Sequence, residues 1–265
     1  MPAETVLITG ASSGIGLEFA KQFAKDGSEL ILVARRRDRL ELLAAELKAI
    51  YGTTSTIITS DLSLPEAPQQ LMDQIHQAGK QVDVLVNNAG FGQLGEFDEI
   101  PLQRQLNMIQ LNVSAVVALS HLCLPGMRSR RRGAILNIGS TASFQPGPNV
   151  AVYYATKAFV LSFSEALWKE LRGTGVTVTC LCPGPTKTEF GDESAMHDTP
   201  VFKHNAMNVS DVVKAGYRAL RRGKRLVIPG VVNNLLATSV RFTPRGTLLD
   251  VMTMLQPLKK KNQTV

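Results

Sequence analysis

The stretch YYATK, residues 153 to 157, sets two phenols beside one amine in what reads as the first turns of a helix. Those are ingredients for proton exchange. A free phenol titrates near 10 and a neighbouring cation favours its phenolate. On a helix the i, i+4 pair Tyr153 and Lys157 lies about 40° apart around the axis, and the i, i+3 pair Tyr154 and Lys157 about 60°. Both phenols are therefore within range of the amine. Helix geometry leaves Tyr153 and Tyr154 open as catalysts, and equally open as two amphipathic aromatics covering a helix N-terminus.

A second chemical signal lies at the other end of the chain. TGASSGIG follows the apolar run TVLIT and precedes a helical pattern. Glycines at such a strand-to-helix turn permit positive φ, let backbone N–H groups approach a pyrophosphate, and aim a helix N-terminus at its charge. Gly10, Ser12, Ser13, Gly14, Ile15 and Gly16 are the expected contacts, although the spacing G-x-x-x-G-x-G departs from G-x-G-x-x-G. The next apolar run ends LVARRRDRL, with arginines where a dinucleotide site selective for the free ribose hydroxyl carries Asp or Glu. A guanidinium fork there suits a 2′-phosphate, at roughly 1.5–3 kcal/mol per hydrogen bond to a charged group. Arg35 and Arg36 are the expected NADP(H) contacts. A solvated arginine run, with Asp38 turned inward, is the alternative.

Seven short apolar runs would carry these residues: 5–9, 29–34, 55–60, 82–87, 133–138, 175–181 and 225–230. Nearly all are continuously apolar rather than alternating, as in strands buried on both faces. Helical patterns separate them, one from Ile15 through Phe23 with Gly27 at its C-cap, another from Tyr153 to about Leu171. The alternation predicts an α/β fold, a Rossmann-like three-layer αβα sandwich around a parallel sheet of about seven strands. No linker composition divides residues 1–265, so a single domain is expected. Asn88, Ala89 and Gly90, with Asn87 before them, close the fourth run, where parallel sheets bind ligands outside their carboxyl ends.

These motifs, together with DL at 61–62, Asn112 in QLNVSA, Ser140, and PGPTKT at 183–188, occur in the order and spacing of the short-chain dehydrogenases/reductases. The chain resembles that family over about residues 3–190. The resemblance implies hydride transfer between a nicotinamide and a carbonyl or secondary alcohol. It selects Tyr153 over Tyr154 as the proton-exchanging group and Ser140 as the hydrogen-bonding partner of the reacting oxygen. It also implies that Lys157 binds the nicotinamide ribose and that Asn112 positions a water for proton relay. Asp61, with Leu62, resembles an adenine-contacting acid, and a turn or cap role remains open beside it. Pro183, Gly184 and Thr188 match nucleotide contacts, with Thr186 the rival of Thr188. Thr141 and Ser143 are open as ordinary turn hydroxyls.

Residues 184–210 lack a period and are long for a connection, which predicts a lid that sets substrate choice. Phe91, Leu94, Phe144, Phe190, Met196 and Phe202 are candidates for an apolar pocket that suits a 3-oxoacyl chain, a steroid-like ring or another apolar ketone or aldehyde. The extension from about 231 to 265 is apolar at helical spacing before its KKK. It is expected to cover the substrate opening or a second subunit, in a homodimer or homotetramer of the kind common in the family. Lying on a membrane is the less expected use.

The net charge of +7 is spread over separated clusters without aromatic interleaving, so no nucleic-acid partner is expected. His76, His121, His197 and His204 show no ligand spacing, and no metal is expected. Cys123, Cys180 and Cys182 read as free buried thiols in a reducing compartment, and the cytoplasm is the expected location. The rival function from a different class is an NADP(H)-binding sensor or interaction protein without catalysis.

Overall fold

The computed structural model describes residues 3–196, 199, 200 and 206–258. Strands β1 (Thr5–Thr9), β2 (Glu29–Ala34), β3 (Ser55–Thr59), β4 (Val84–Asn87), β5 (Gly133–Ile138), β6 (Val176–Leu181) and β7 (Leu226–Val227) form one sheet in the order β3-β2-β1-β4-β5-β6-β7. Every pairing is parallel. The helices between them are α1 (Gly14–Lys25), α2 (Arg37–Tyr51), α3 (Ala67–Gln77), α4 (Leu102–Ile109), α5 (Ala115–Ser129), α6 (Ala151–Glu170), α7 (Phe190–Glu193) and α8 (Val209–Arg221). Two more, α9 (Val231–Ser239) and α10 (Arg245–Leu255), follow β7.

Alternation along β1 shows why the strands read as unbroken apolar runs. Val6 and Ile8 pack with Phe19 and Phe23 of α1, Leu40 of α2 and Val212 of α8. Leu7, between them, packs on the opposite face with Leu71 and Ile75 of α3 and Leu119 and Met127 of α5. Each such side chain, fully withdrawn from water, contributes about 1.5–3 kcal/mol, so neither face of a central strand tolerates polar alternation. The expected Rossmann-like arrangement is present. At α1 the chain leaves the helix through Gly27 at φ +77°, with its N–H bonded to the carbonyl of Ala24.

Four strands are shorter than their sequence runs, β3 and β6 by one residue each. β4 starts at Val84 rather than at 82. The run at 225–230 yields only Leu226–Val227, because Pro229 has no N–H for a ladder and Gly230, at φ +87°, already turns into α9. Between α4 and α5, residues Gln110–Ser114 form a π-helical turn. The continuous stretch Leu102–Ser129 is apolar and long enough by composition to cross a bilayer. Its buried side chains, among them Met108, Asn112, Leu119 and Met127, face the core of this fold.

The strand order turns back between β1 and β4, and that reversal opens a crevice beyond their carboxyl ends. The residues with chemistry sit at those ends. Gly10 follows β1, Arg35 and Arg36 follow β2, Asp61 follows β3, Asn88 follows β4, Ser140 follows β5 and Pro183 follows β6.

Candidate active site

A cavity of about 280 Å³ runs along this crevice, from Arg35 and Arg36 past the glycine turn to Ser140, Tyr153 and Lys157. At the turn, Gly10 and Gly14 have φ of +66° and +55°. A Cβ on Gly16 would run into the carbonyl oxygen of Gly10, so only glycine lets the turn fold back on itself. Asn88 staples the turn to β4: its Nδ2 donates to the carbonyls of Thr9 at 2.9 Å and Gly10 at 3.1 Å. Thr9 Oγ1 in turn accepts from the N–H groups of Asn88 and Ala89, both at 3.0 Å. Ser12, Ser13, Gly14 and Ile15 border the cavity at the N-terminus of α1, where backbone N–H groups and the helix dipole favour an anion. Ile15 also packs against the core.

The arginine cluster resolves into distinct roles. Arg36 Nη2 donates to Ser12 Oγ at 3.2 Å, and its Nη1 pairs with Glu189 at 3.0 Å. Arg39, which the sequence reading did not include, pairs with the other carboxylate oxygen of Glu189. The two arginines stand three positions apart at the start of α2, the spacing that places them on one helix face, and that was the available signal. Their guanidinium groups hold the Glu189 carboxyl below its ordinary pKa, the Arg39 hydrogen bond being the largest cause. Arg35 is exposed at the cavity rim. Arg37 pairs instead with Glu41 along the helix surface at 2.8 Å. Asp61 takes the turn role left open for it, with Oδ1 accepting from the N–H and hydroxyl of Ser63 at 3.0 and 2.7 Å. It still borders the cavity together with Leu62.

At the other end, Ser140 caps a 3₁₀ turn, Thr141–Phe144, its Oγ accepting from the N–H of Ala142 at 3.1 Å. Ser143 anchors that turn to α6 by donating to the carbonyl of Lys157 at 2.7 Å, so it is structural. Tyr153 and Ser140 both border the cavity, and the Ser140 side chain is near enough to favour the Tyr153 phenolate. Lys157 Nζ donates to the carbonyl of Ile138 at 2.8 Å and lies 5.8 Å from the centre of the Tyr153 ring. Tyr154 is committed elsewhere: its ring lies against Gly147, and its hydroxyl accepts from Gln256 Nε2. The two phenols that helix geometry could not rank are separated by their neighbours.

The electrostatics differ from a simple pairing of phenol and ammonium. Burial pushes the Tyr153 phenol above its ordinary pKa, opposed by the Ser140 side chain, so in the free protein the phenol is not acidified as a simple phenol–ammonium pairing would have it. Burial also lowers the Lys157 ammonium to about 8, with the nearby thiols of Cys180 and Cys182 opposing. Between about 8 and its ordinary 10.5, the unfolded chain binds the proton that the folded one releases, so stability on this account rises with pH across that window. Below it, the buried charge costs on the order of 3 kcal/mol. The gap in folding free energy between Lys157→Met and wild type, measured without nucleotide by denaturant melts, should therefore shift against the variant by ~3 kcal/mol from about pH 7 to about pH 10. A gap independent of pH would refute the lowered ammonium pKa.

Asn112 lies on the π-helical turn and does not border the cavity. Its Nδ2 donates to the carbonyl of Phe91 at 2.9 Å and to Thr156 Oγ1 at 3.1 Å, while Oδ1 accepts from the N–H of Phe91 at 3.1 Å. The side chain thus braces the loop after β4 against α6. A buried network that the sequence reading missed ties the same elements together. Asn87 Nδ2 donates to Asn137 Oδ1 at 2.9 Å, and Asn137 Nδ2 donates to Ser164 Oγ at 2.9 Å.

On the substrate side, Phe91, Phe190, Met196 and Thr199 border the cavity. Leu94 joins the same apolar cluster. Phe144 does not belong there: it packs beyond the 3₁₀ turn with Val160, Cys180 and Cys182. Phe202 lies outside the described residues. Within the expected lid, Thr186 bridges to Met207 and the short helix α7 carries Phe190 to the cavity wall. Thr188 lies against the glycine turn, 3.1 Å from where a Cβ on Gly14 would stand. Thr186 Oγ1 donates to the carbonyl of Gly184 at 2.9 Å, and Pro183 accepts from the N–H of Thr141 at 2.8 Å. In the C-terminal extension, Leu248 and Met252 of α10 are buried with Tyr153, Tyr154 and Met196.

A glycine turn at the switch point of a parallel sheet, facing a buried phenol and amine across one crevice, is the arrangement of a dinucleotide-dependent oxidoreductase. The family model described as short chain dehydrogenase matches residues 4–198, and the chain belongs to that family. It is 38% identical over 201 residues to sulfoacetaldehyde reductase 2 of Chromohalobacter salexigens, covering 73% of this chain and 79% of that protein. A short-chain dehydrogenase from Sphingobium yanoikuyae in complex with NADPH superimposes with a TM-score of 0.81 at 32% identity, covering 98% and 99% of the two chains. The bulky-bulky ketone specific alcohol dehydrogenase from Comamonas testosteroni gives 0.78 at 28% identity over 100% of both chains. The glycine cradle, the helix N-terminus and the arginine pair fit a nicotinamide nucleotide.

Proposed function

We propose that the protein is an NADP(H)-dependent reductase of apolar ketones or aldehydes, able to run in reverse on the corresponding secondary alcohols. The observation that carries the reading is that Ser140, Tyr153 and the buried Lys157 line the inner end of the same cavity whose outer end holds Arg36. NADPH, when bound, supplies hydride to the carbonyl carbon. The chain's own residues handle the oxygen. Ser140 donates a hydrogen bond to it, and Tyr153 gives it a proton as charge develops. The buried phenol keeps its proton until negative charge develops on the substrate oxygen. The protonated Lys157 beside it stabilises the phenolate left behind.

Several features support the finer points. Arg36 and Arg39 converge on one carboxylate, as a 2′-phosphate would require, and the relative from Sphingobium yanoikuyae was determined with NADPH. Phe91, Phe190 and Met196 give the substrate end an apolar wall, in keeping with the bulky ketones of the Comamonas enzyme. Three buried free thiols support a reducing, cytoplasmic setting. With NADPH and a panel of bulky apolar ketones, loss of nucleotide absorbance should reveal turnover, with kcat/KM for NADPH at least about tenfold above that for NADH. Failure of either nucleotide to bind by calorimetry would reject the reading, and binding without turnover of any carbonyl would favour a sensor.

A further inference from the structure

Gln256, just past the end of α10, is 2% exposed and borders the cavity beside Tyr154. Its backbone is held from both sides. Its N–H donates to the carbonyl of Met252 at 3.1 Å, and its own carbonyl accepts from Asn149 Nδ2 at 2.8 Å. Its side-chain Nε2 donates to the Tyr154 hydroxyl, which fixes the amide plane. Its Oε1 is buried and has no hydrogen-bond partner among the described residues. Buried carbonyl oxygens are nearly always paired, and an orphan on the wall of a ligand cavity calls for a donor brought by the ligand.

We propose that Gln256 forms a substrate subsite: its Oε1 accepts a hydrogen bond from a hydroxyl or N–H that the carbonyl substrate carries a few bonds from its reacting carbon. This rests on the carbonyl-reductase reading and narrows it from apolar ketones to ketones and aldehydes with one donor on an otherwise apolar frame. The placement is consistent with that substrate. Tyr153 and Tyr154 are adjacent, with ring centres 6.1 Å apart, and Gln256, which holds the Tyr154 hydroxyl, lines the same cavity as Tyr153. Met196, Met252 and Phe190 surround the tyrosines with apolar surface, which leaves the amide as a polar point in a nonpolar wall. A site built to accept a hydrogen bond discriminates strongly against an analogue that cannot give one.

The test compares 2-pentanone and 2-hexanone with their terminal hydroxy and terminal methoxy derivatives, using NADPH and the full chain. In wild type, kcat/KM for at least one hydroxy ketone should exceed that for its parent by at least about tenfold, with no gain for the methoxy analogue. Gln256→Met, which keeps length and removes the acceptor, should bring that ratio to about one, and Gln256→Glu, which keeps an acceptor, should retain it. Should the methionine variant fail to fold, Tyr154→Phe gives a second reading, because releasing the amide should also lower the ratio. Reduction of the parents without discrimination, an equal preference for methoxy ketones, or a ratio unchanged in Gln256→Met would each overturn the subsite and leave the reductase reading in place. If NADPH bound and no ketone were reduced, the reductase reading would fall and the subsite with it.

Discussion

Tyr153→Phe should abolish reduction of every carbonyl substrate, with kcat lowered by about 10²–10⁴-fold, the range of a lost general acid. NADPH affinity should hold, because the ring remains and only the hydroxyl is removed. Tyr154→Phe, one position along, should keep kcat within about tenfold, since its hydroxyl is engaged by Gln256 rather than by Ser140. Steady-state kinetics on the two variants decides between them, and the opposite pattern would exchange the roles of the two tyrosines. The assignment depends on neighbours rather than on helical phase. Both tyrosines are buried on the inner side of α6, and burial pushes both phenols up, Tyr154 to about 12. What differs is that Tyr153 faces the Ser140 hydroxyl at the carboxyl end of β5, whereas Tyr154 lies against Gly147 and the C-terminal extension.

The second large effect concerns nucleotide choice. Replacing Arg36 and Arg39 together with alanine should remove the preference for NADPH, lowering its affinity by a factor of about 10² or more, while NADH binding changes little. Glu189 gives the experiment a second arm of opposite sign. It is the carboxylate that both guanidinium groups now hold, and a 2′-phosphate would have to displace it. Exposed ion pairs of this kind are worth about 0–1 kcal/mol, less than the roughly 1.5–3 kcal/mol of each hydrogen bond to a charged group, so the phosphate should win. Glu189→Gln should accordingly tighten NADPH a few-fold and leave NADH nearly unchanged. Calorimetric titration of both nucleotides into the three proteins checks the whole set; loss of NADH affinity in parallel with NADPH would mean that the arginines act through the fold of the turn.

Much of the scaffold was legible because it rests on local chemistry. The strands of the sheet are continuous apolar runs, and a parallel sheet covered on both faces leaves them no other pattern. Gly10, Gly14 and Gly16 had to be glycine for reasons of positive φ and close approach that hold within one turn. Helix α6 was legible too, but its inner face was not. The apolar ladder Phe159 and Phe163 stacks toward the outside, with Phe159 exposed, while the polar Thr156, Lys157 and Ser164 are buried beside Tyr153, Tyr154 and Val160. Hydrophobic periodicity reports the core face only where that face is apolar. Here Ser164 is satisfied by Asn137 and Lys157 by the Ile138 carbonyl, partners from a different strand that no periodicity reveals.

By itself, then, the chain's order of residues determined the α/β alternation, the nucleotide turn and the pair of phenols with their lysine, since each depends on neighbours within a turn or a strand. Tertiary structure alone decided that Gln256 engages Tyr154, that Arg39 joins Arg36 on Glu189, that Asn112 braces a loop, that Phe144 packs away from the cavity, and that Gln256 reaches it from the far end of the chain. Each of those outcomes turns on a contact between residues distant in sequence, and such contacts exist only once packing has brought their elements together.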